Sequence, residues 1–389
     1  MRKRRCFSQT LYYGRGRFLL KRKRKTSRLK ALLPDEYGLT ETAKEAHEKL
    51  VNDYFSDEPL YNDEIFRRRF RMNRRLFTRI ANDLAGLDPF FTQRPDARNY
   101  EGFTTLQKCV AAIRQLAYGT VADALDEYLQ MSARTTRELY QAHEARHGFP
   151  GMLGSIDCMH WAWHNCPTAW RGQYTRGDHG HPTLILEAVA SQVLWIWHSF
   201  FGLPGSLNDL NVLYQSAIFT DVVNGTGPYT RFTVSGVEYR RGYYLADGIY
   251  PSWSTIVKTI PYPEDEKRKK FTKRQEAARK DIERAFGVIQ KKWAVLEQPA
   301  RAFTPKRLRL CMYACILLHN MIIEDEGRAI CEYDENASYG NTVPVDPPQQ
   351  DLNSLSLTND FTHANLQQDL VEHIWNNVNV ADSDGDEDE

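Results

Sequence analysis

The sequence contains few of the features that mark membrane or disulfide-stabilised proteins. No apolar run in its 389 residues approaches the ~18 residues that span a bilayer. The basic opening Met1–Arg5 is followed by neither an apolar stretch nor a small-residue cleavage site, so we expect no secretory signal. Seven thinly spread cysteines, an odd number, fit reduced thiols of the cytosol or nucleus better than a disulfide framework.

The net charge of +1 hides two blocks of opposite sign. The start of the chain is dense in Lys and Arg, including Lys21–Lys25, whereas Ala381–Glu389 are mostly Asp and Glu. Blocks of like charge are typically solvated and poorly ordered. The basic arm is therefore open to two interpretations, a solvated tail or a segment for nuclear import and contact with the DNA backbone.

The chain divides into four regions by composition and periodicity. Residues 1–60 are expected to form a basic, disordered tail and linker, and residues 329–389 a polar linker and an acidic C-terminal tail. Between them, residues 61–148 carry apolar residues at helical spacing, and residues 150–328 alternate strand-like and helix-like runs. Hydrophobic residues make up 42% of the chain, enough for packed cores in both middle regions.

The helical region has the outline of a helix-turn-helix. Its predicted helices are Glu64–Leu84, Thr104–Tyr118, Val121–Tyr128 and Ala133–His147. Ser132 is suited to cap the last helix and Gly148 to end it. A capped helix carrying Arg134 and Arg137 after a short turn is typical of a DNA-binding motif. A plain helical bundle gives the same pattern, and the sequence leaves both interpretations open.

The central region predicts an α/β domain with a mixed sheet and flanking helices. Its predicted strands are Met152–Ile156, Thr183–Ala190, Val193–Phe201 and Tyr243–Ala246. Its predicted helices are Asp209–Gln215, with Asn208 or Ser206 as a cap, and Lys273–Trp293. Strands alternating with helices in this order are typical of a sheet with helices packed on it.

Three carboxylates stand out by their positions in this domain. Asp157 follows the first predicted strand, Asp247 follows the fourth, and Glu283 lies within an apolar stretch of the long helix. Side chains converge at strand ends in open α/β sheets, and a buried carboxylate is costly unless a cation or hydrogen bonds stabilise it. A shared divalent cation would account for all three acids, but so would solvation or ion pairing.

Ordered sequence blocks across residues 60–325 resemble PIF/Harbinger transposases, especially the plant Pong-like branch. The blocks are Leu153–Trp161, Asn165–Tyr174, Ile185–Ser191, Trp195–His198, Phe201–Asp209, Leu245–Pro251, Gln275–Val288 and Leu318–Ile322. The resemblance implies a ribonuclease H-like catalytic domain whose metal-binding DDE acids are Asp157, Asp247 and Glu283. The last two are separated by 35 residues (283 − 247 − 1), a spacing familiar in DDE recombinases.

The resemblance also implies the activity and its partners. Transposases of this family cut transposon ends and join them to short A/T-rich targets in double-stranded DNA. Two Mg²⁺ or Mn²⁺ ions, which favour carboxylate oxygens, would serve both ends of the in-line displacement. A Myb/SANT-like companion, a homo-oligomer and a nuclear location, with the cytoplasm as a second location, are expected, and a membrane is not. The alternatives are a domesticated, catalytically silent nuclear chromatin-associated protein and a nuclease that cuts without joining.

Further residues are candidates for supporting roles. Asp209 either orients the helix that follows the third strand or lines the metal cleft, and His160 is a candidate substrate contact. Basic residues flank Glu283, and we expect them to bind DNA phosphates although such runs are usually solvated. They are Lys269, Lys270, Lys273, Arg274, Arg279, Lys280 and Arg284. Arg284 is also expected to pair with a neighbouring acid.

Overall fold

The computed structural model describes residues 41–94, 103–118, 133–178, 180–225, 230–330 and 345–378. The predicted helix Val121–Tyr128, the basic arm and the acidic tail lie outside these ranges. The chain divides into two compact units. Of the described residues, the helical unit contains 41–94, 103–118, 290–302 and 306–318, and the sheet unit contains 133–178, 180–225, 230–289, 303–305, 319–330 and 345–378. No helix in the described ranges combines the length and hydropathy needed to cross a membrane.

The described residues form thirteen helices and seven strands. The helices are α1 (Glu41–Tyr54), α2 (Asp63–Phe70), α3 (Arg74–Leu87), α4 (Thr105–Tyr118), α5 (Ala133–His147), α6 (Thr168–Tyr174), α7 (Asp209–Leu213), α8 (Thr220–Asn224), α9 (Glu266–Lys292), α10 (Ala294–Glu297), α11 (Pro305–Asp325), α12 (Pro347–Leu357) and α13 (Asp360–Asn377). The strands are β1 (Met152–Ala162), β2 (Thr183–Ala190), β3 (Ile196–Pro204), β4 (Phe232–Val234), β5 (Val237–Tyr239), β6 (Tyr243–Ala246) and β7 (Ile256–Lys258).

Aromatic rings pack the helical unit. Tyr54 and Phe55 at the end of α1 meet Phe66 and Phe70 of α2 and Phe77 of α3. The Phe66 and Phe70 ring centroids are 4.5 Å apart, and those of Phe55 and Phe70 are 6.5 Å apart. Aromatic pairs at such separations stabilise a core beyond their buried area.

The predicted helix Glu64–Leu84 is wrong as a single element, because two helices replace it. Arg71 adopts a left-handed conformation with φ 64° and ends α2. Asn73 then starts α3, since its Oδ1 accepts a hydrogen bond from the Leu76 amide at 2.8 Å. An Asn at this position satisfies an amide that the first turn of a helix leaves without a backbone partner.

The main sheet has the strand order β3-β2-β1-β6-β7. Strands β1, β2 and β3 pair antiparallel, whereas β6 pairs parallel with β1 and β7 parallel with β6. One face packs against α5, α9 and α13 through residues such as Phe271 and Leu370, and the other packs against Leu213 of α7 and Leu357 of α12. This arrangement confirms the predicted α/β fold class, a ribonuclease H-like mixed sheet with flanking helices and a preceding helical region.

Some elements differ in extent from their predicted bounds. β2 and β6 match, but β1 continues to Ala162 because its second half pairs with β2 after β6 has ended. Asp157 therefore lies within β1 instead of following it. α9 begins at Glu266, seven residues before the predicted start at Lys273. β3 spans Ile196–Pro204, so it begins and ends three residues later than the predicted strand Val193–Phe201.

α5 and the C-terminal helices belong to the sheet unit. The Tyr140 hydroxyl of α5 donates a hydrogen bond to the Thr230 carbonyl at 3.2 Å. Gly148, with φ 78°, ends α5 as expected. In the segment expected as a polar linker, α12 forms, and α13 buries Leu366 and Ile374 in the core. Whether α4 and α5 act as a helix-turn-helix stays a prediction, because the segment between them lies outside the described residues.

A carboxylate site at the end of the β1–β6 pairing

The parallel pairing of β1 with β6 places Asp157 beside Asp247. The last register pair is Ser155 with Leu245, and each Asp lies two residues beyond its member of that pair. Because side chains alternate between faces along a strand, both acids continue the face of Ser155 and Leu245. The Ser155 hydroxyl donates to the Ala278 carbonyl of α9 at 3.0 Å, so this face is the one that α9 covers.

Local hydrogen bonds hold both carboxylates. Asp157 Oδ1 accepts from the Cys158 amide at 2.8 Å, and Asp247 Oδ1 accepts from the Ile249 amide at 3.0 Å. The second contact closes a short Asx turn directly after β6, which fixes the direction of the Asp247 side chain. Both Asp residues keep an oxygen that these amide bonds do not use.

Arg279 of α9 links Asp157 to Glu283. Its Nη1 lies 2.7 Å from Glu283 Oε1, one helical turn away, and 3.5 Å from Asp157 Oδ2. The Asp157 side chain is 18% exposed and the Glu283 side chain is 46% exposed. Glu283 thus lies across a guanidinium group from Asp157 and remains open to solvent.

Excess negative charge acts on Asp157. Burial raises the pKa of its carboxyl to about 6, and the charges of Asp209 and Asp247 add to the rise, against the Cys158 amide and Arg279. Burial, followed by the charge of Asp247, also raises the pKa of Asp209. The negative charges of Asp209 and Asp247 thus act on the buried Asp157, and such a group of acids is suited to binding a cation.

Asp157, Asp247 and Glu283 do not form a compact triad. Among the described residues, the one group of three His, Cys, Asp or Glu side chains whose ligand atoms all lie within 4.8 Å of one another is His143, His147 and Asp281. The three carboxylates are therefore more widely spread than this group.

The two auxiliary candidates lie in different surroundings. Asn208, not Asp209, caps α7, because its Oδ1 accepts from the Asn211 amide at 2.9 Å. Asp209 instead hydrogen-bonds the Cys158 thiol, and its charge reaches Asp157. His160 Nδ1 lies 2.9 Å from Thr183 Oγ1. Strand alternation turns His160 to the face opposite Asp157 and about 10 Å further along β1.

Most of the basic residues proposed to bind DNA have contacts within the chain. Lys269 Nζ lies 2.8 Å from Glu266 Oε1, and Lys270 Nζ lies 2.5 Å from the Val378 carbonyl oxygen. Arg284 pairs with Asp281, as the sequence suggested. Lys273 and Arg274 also have partners. Arg137 and Lys280 are exposed, and Arg134 lies among the residues whose side chains the structure does not describe.

Two features near the site were missed in the sequence. Glu187 is fully buried in β2, across from Cys158, with His198 Nε2 at 3.3 Å from its Oε1. A charged residue inside the apolar run Thr183–Ala190 was the available signal. The second feature is the close group of His143, His147 and Asp281. Its signal was a pair of histidines four residues apart, but Asp281 reaches them only through the packing of α9.

Comparison with known proteins shows the family of this chain. The family profile described as plant transposon protein matches residues 126–330, more than half of the chain. The chain belongs to the plant transposon protein family. This membership confirms the resemblance to PIF/Harbinger transposases, and the matched region of the family contains Asp157, Asp247 and Glu283. A second profile, for a domain of unknown function, matches residues 47–85.

Individual relatives of the family are distant. HARBI1 of Bos taurus, named as a candidate nuclease, is 24% identical over 46% of this chain and 47% of its own length. An ALP1-like protein of Arabidopsis thaliana is 24% identical over 50% of this chain and 48% of its own. HARBI1 of Mus musculus is 22% identical over 58% of this chain and 59% of its own length. The chain spans about half the length of the curated relatives it matches, and no solved structure matches it.

Proposed function

We propose that this protein is a divalent-metal-dependent DNA transposase that cleaves and joins phosphodiester bonds, with Asp157, Asp247 and Glu283 as the metal-binding residues. The family and its nuclease-named relatives support action on DNA. The observation that carries the proposal is the β1–β6 register, which sets two acids side by side beneath the helix that holds the third. Mg²⁺ or Mn²⁺ is the proposed cofactor, with two ions at the site.

The donor set fits hard divalent ions. All three proposed ligands are carboxylates, and Mg²⁺ favours oxygen ligands and needs only a few from the protein. Burial is the main cause of the raised pKa of Asp157, and the charge of Arg279 only partly opposes the rise. The raised pKa indicates a site that is short of positive charge. When bound, such ions lower the pKa of an attacking water or 3′-hydroxyl and stabilise the leaving oxygen.

The protein's own residues would orient and balance this site. Asp157 and Asp247 are held by backbone amides, so each would offer its ligand oxygens from a fixed position. Arg279 contacts two of the acids, and we propose that it stabilises them when no metal is bound and then turns to the DNA phosphate. Asp209 would add negative charge from the opposite side of β1.

The binding partners follow from this activity as parts of the proposal. Exposed Lys280, one helical turn before Arg284 on α9, and exposed Arg137 on α5 are the proposed phosphate contacts. An activity on double-stranded DNA would require the protein to be in the nucleus. The Myb/SANT-like companion and the homo-oligomer stay predictions from the family resemblance.

A cleavage assay tests the proposed function. Supercoiled plasmid and linear duplexes bearing candidate element ends are incubated with the parent protein in Mg²⁺ or Mn²⁺, and both nicking and strand transfer are scored. We expect Asp247→Asn to lose at least 100-fold of the cleavage rate, the scale on which electrostatic stabilisation of a transition state acts. Asp351→Asn, at an exposed acid of α12 in the same unit, is the matched control.

Each outcome separates the alternatives. Equal cleavage by the parent and Asp247→Asn would remove Asp247 from the mechanism. Cleavage without strand transfer would favour a nuclease that does not join DNA. A parent protein that binds DNA without cleaving it in either metal would favour the domesticated, catalytically silent chromatin protein.

A further inference from the structure

A second group of metal-ligating side chains lies between α5 and α9, apart from the three DDE acids. His143 and His147 are four residues apart on α5, so they share one side of that helix. Asp281 reaches them from α9, and its Oδ2 lies 2.8 Å from His147 Nε2. One ligand atom from each of the three residues lies within 4.8 Å of the others.

Hydrogen bonding accounts for two of these residues but not for the third. Asp281 is fully buried, and its oxygens contact His147 on one side and Arg284 on the other. His143 is also fully buried, yet neither of its ring nitrogens has a hydrogen-bond partner among the described residues. The Leu153 backbone approaches the ring without reaching hydrogen-bond geometry. A buried polar group left in this state destabilises the folded protein unless something satisfies it.

The geometry points to a transition-metal site: we propose that His143, His147 and Asp281 bind Zn²⁺ or a similar ion. Imidazole nitrogens with one carboxylate suit zinc at ~2.0–2.2 Å, whereas Mg²⁺ prefers a set of oxygens. Two histidines at i and i+4 on one helix present their rings together. Arg284 would stay as a hydrogen-bond partner of the bound carboxylate, a common arrangement behind a metal ligand.

Such an ion would link α5 to α9 at Asp281, which precedes Glu283 by two residues. Three protein ligands leave one tetrahedral position for a water molecule, and His147 is 12% exposed, which gives solvent a path to it. The assignment of a metal site stands on these three side chains alone. Only its consequence, a fixed position for the helix that carries Glu283, rests on the proposed function.

Metal content and cobalt spectra of the full-length chain test the proposal. The parent and the Asp157→Asn/Asp247→Asn double variant are stripped with a chelator and dialysed against Zn²⁺ or Co²⁺. In the double variant the carboxylate site lacks two of its proposed ligands, so any zinc that remains bound is not held there. We expect one equivalent of tightly held zinc in both proteins, a higher melting temperature with zinc, and the visible absorption band of tetrahedral Co²⁺.

Three single variants locate the metal. His143→Leu removes the ligand without creating a new polar group, and His147→Gln keeps a hydrogen bond to Asp281. Both are expected to lose the zinc equivalent and the cobalt band, whereas His164→Gln, at an exposed histidine of the same unit, keeps them. If His143→Leu does not fold, as judged by circular dichroism without metal, His147→Gln decides the test.

Two results would overturn the proposal. One is a double variant that takes up no zinc after dialysis, and the other is equal uptake by the parent and a folded His147→Gln. Neither result bears on the carboxylate site, since the loss of cleavage in Asp247→Asn is measured separately. A failed cleavage assay with intact zinc binding would, in turn, leave the histidine site standing.

Discussion

Removing the charge of Asp157 is expected to stabilise the metal-free protein at neutral pH. Burial, together with the charges of Asp209 and Asp247, raises the pKa of this carboxyl to about 6, from an ordinary value of 3.8. The folded state therefore holds the proton more tightly than the unfolded state does. An Asn at this position keeps the size and the acceptor oxygen for the Cys158 amide but never carries the charge.

The size and pH dependence of this effect follow from the pKa shift. A rise from 3.8 to about 6 corresponds to about 3 kcal/mol at ~1.36 kcal/mol per pKa unit, as an upper bound. Because the pKa of Asp157 is raised in the folded state, the stabilisation that this carboxyl contributes is fully present below pH 3.8. It is lost as the pH rises through about 6. Asp157→Asn should match the parent in acid and exceed its free energy of unfolding by up to about 3 kcal/mol at pH 7.5.

Urea denaturation in EDTA at a series of pH values measures this difference. Asp351→Asn, an exposed acid of the same unit, controls for the general effect of removing one negative charge. Adding Mg²⁺ should then stabilise the parent but not Asp157→Asn, since an ion that binds only the folded state raises its stability. The reasoning fails if the variant is less stable than the parent at pH 7.5, or if its gain does not change with pH.

Three other predictions concern neighbouring features of the chain. Arg279→Gln removes the cation that lowers the pKa of Asp157, so the pH at which metal-free stability falls should move above about 6, measured by the same urea series. Lys280→Ala should reduce the slope of log affinity for DNA against log salt concentration by about 1, as measured by fluorescence anisotropy. As a control, Lys267→Ala should leave the slope unchanged, because the Lys267 ammonium already lies 2.7 Å from Glu372. Phe70→Ala should cost about 3–5 kcal/mol of helical-unit stability in urea, and a loss under 1 kcal/mol would contradict the aromatic core.

The sequence predicted the sheet well where pattern and burial coincide. β2 is buried on both faces and therefore reads as a continuous apolar run, while β6 is a short apolar run ended by Asp247. Asn208, one of the two caps suggested for α7, caps it in the structure, because an Asn before a helical run has a local role. Such features depend on residues close in the chain, and these are the features that a single sequence contains.

Features that depend on packing could not be predicted in the same way. The extension of β1 past Asp157 follows from pairing with β2, which a local pattern does not reveal. The role of Arg279 between two acids depends on where α9 lies on the sheet. From the sequence alone it was one basic residue in a run of several, and phosphate contact was the natural expectation.

Charge connects the stability of this protein with the metal binding and DNA binding proposed for it. Beyond the effect of burial, the charges of Asp209 and Asp247 raise the pKa of Asp157, and the charge of Asp247 raises the pKa of Asp209, with Arg279 as the nearby cation. A DNA phosphate would meet net repulsion at such a site unless positive charge were added. Divalent ions would supply it and would at the same time stabilise Asp157 in its charged form. The destabilising cluster of acids and the proposed catalysis are thus two results of one arrangement, because function commonly retains groups that cost stability.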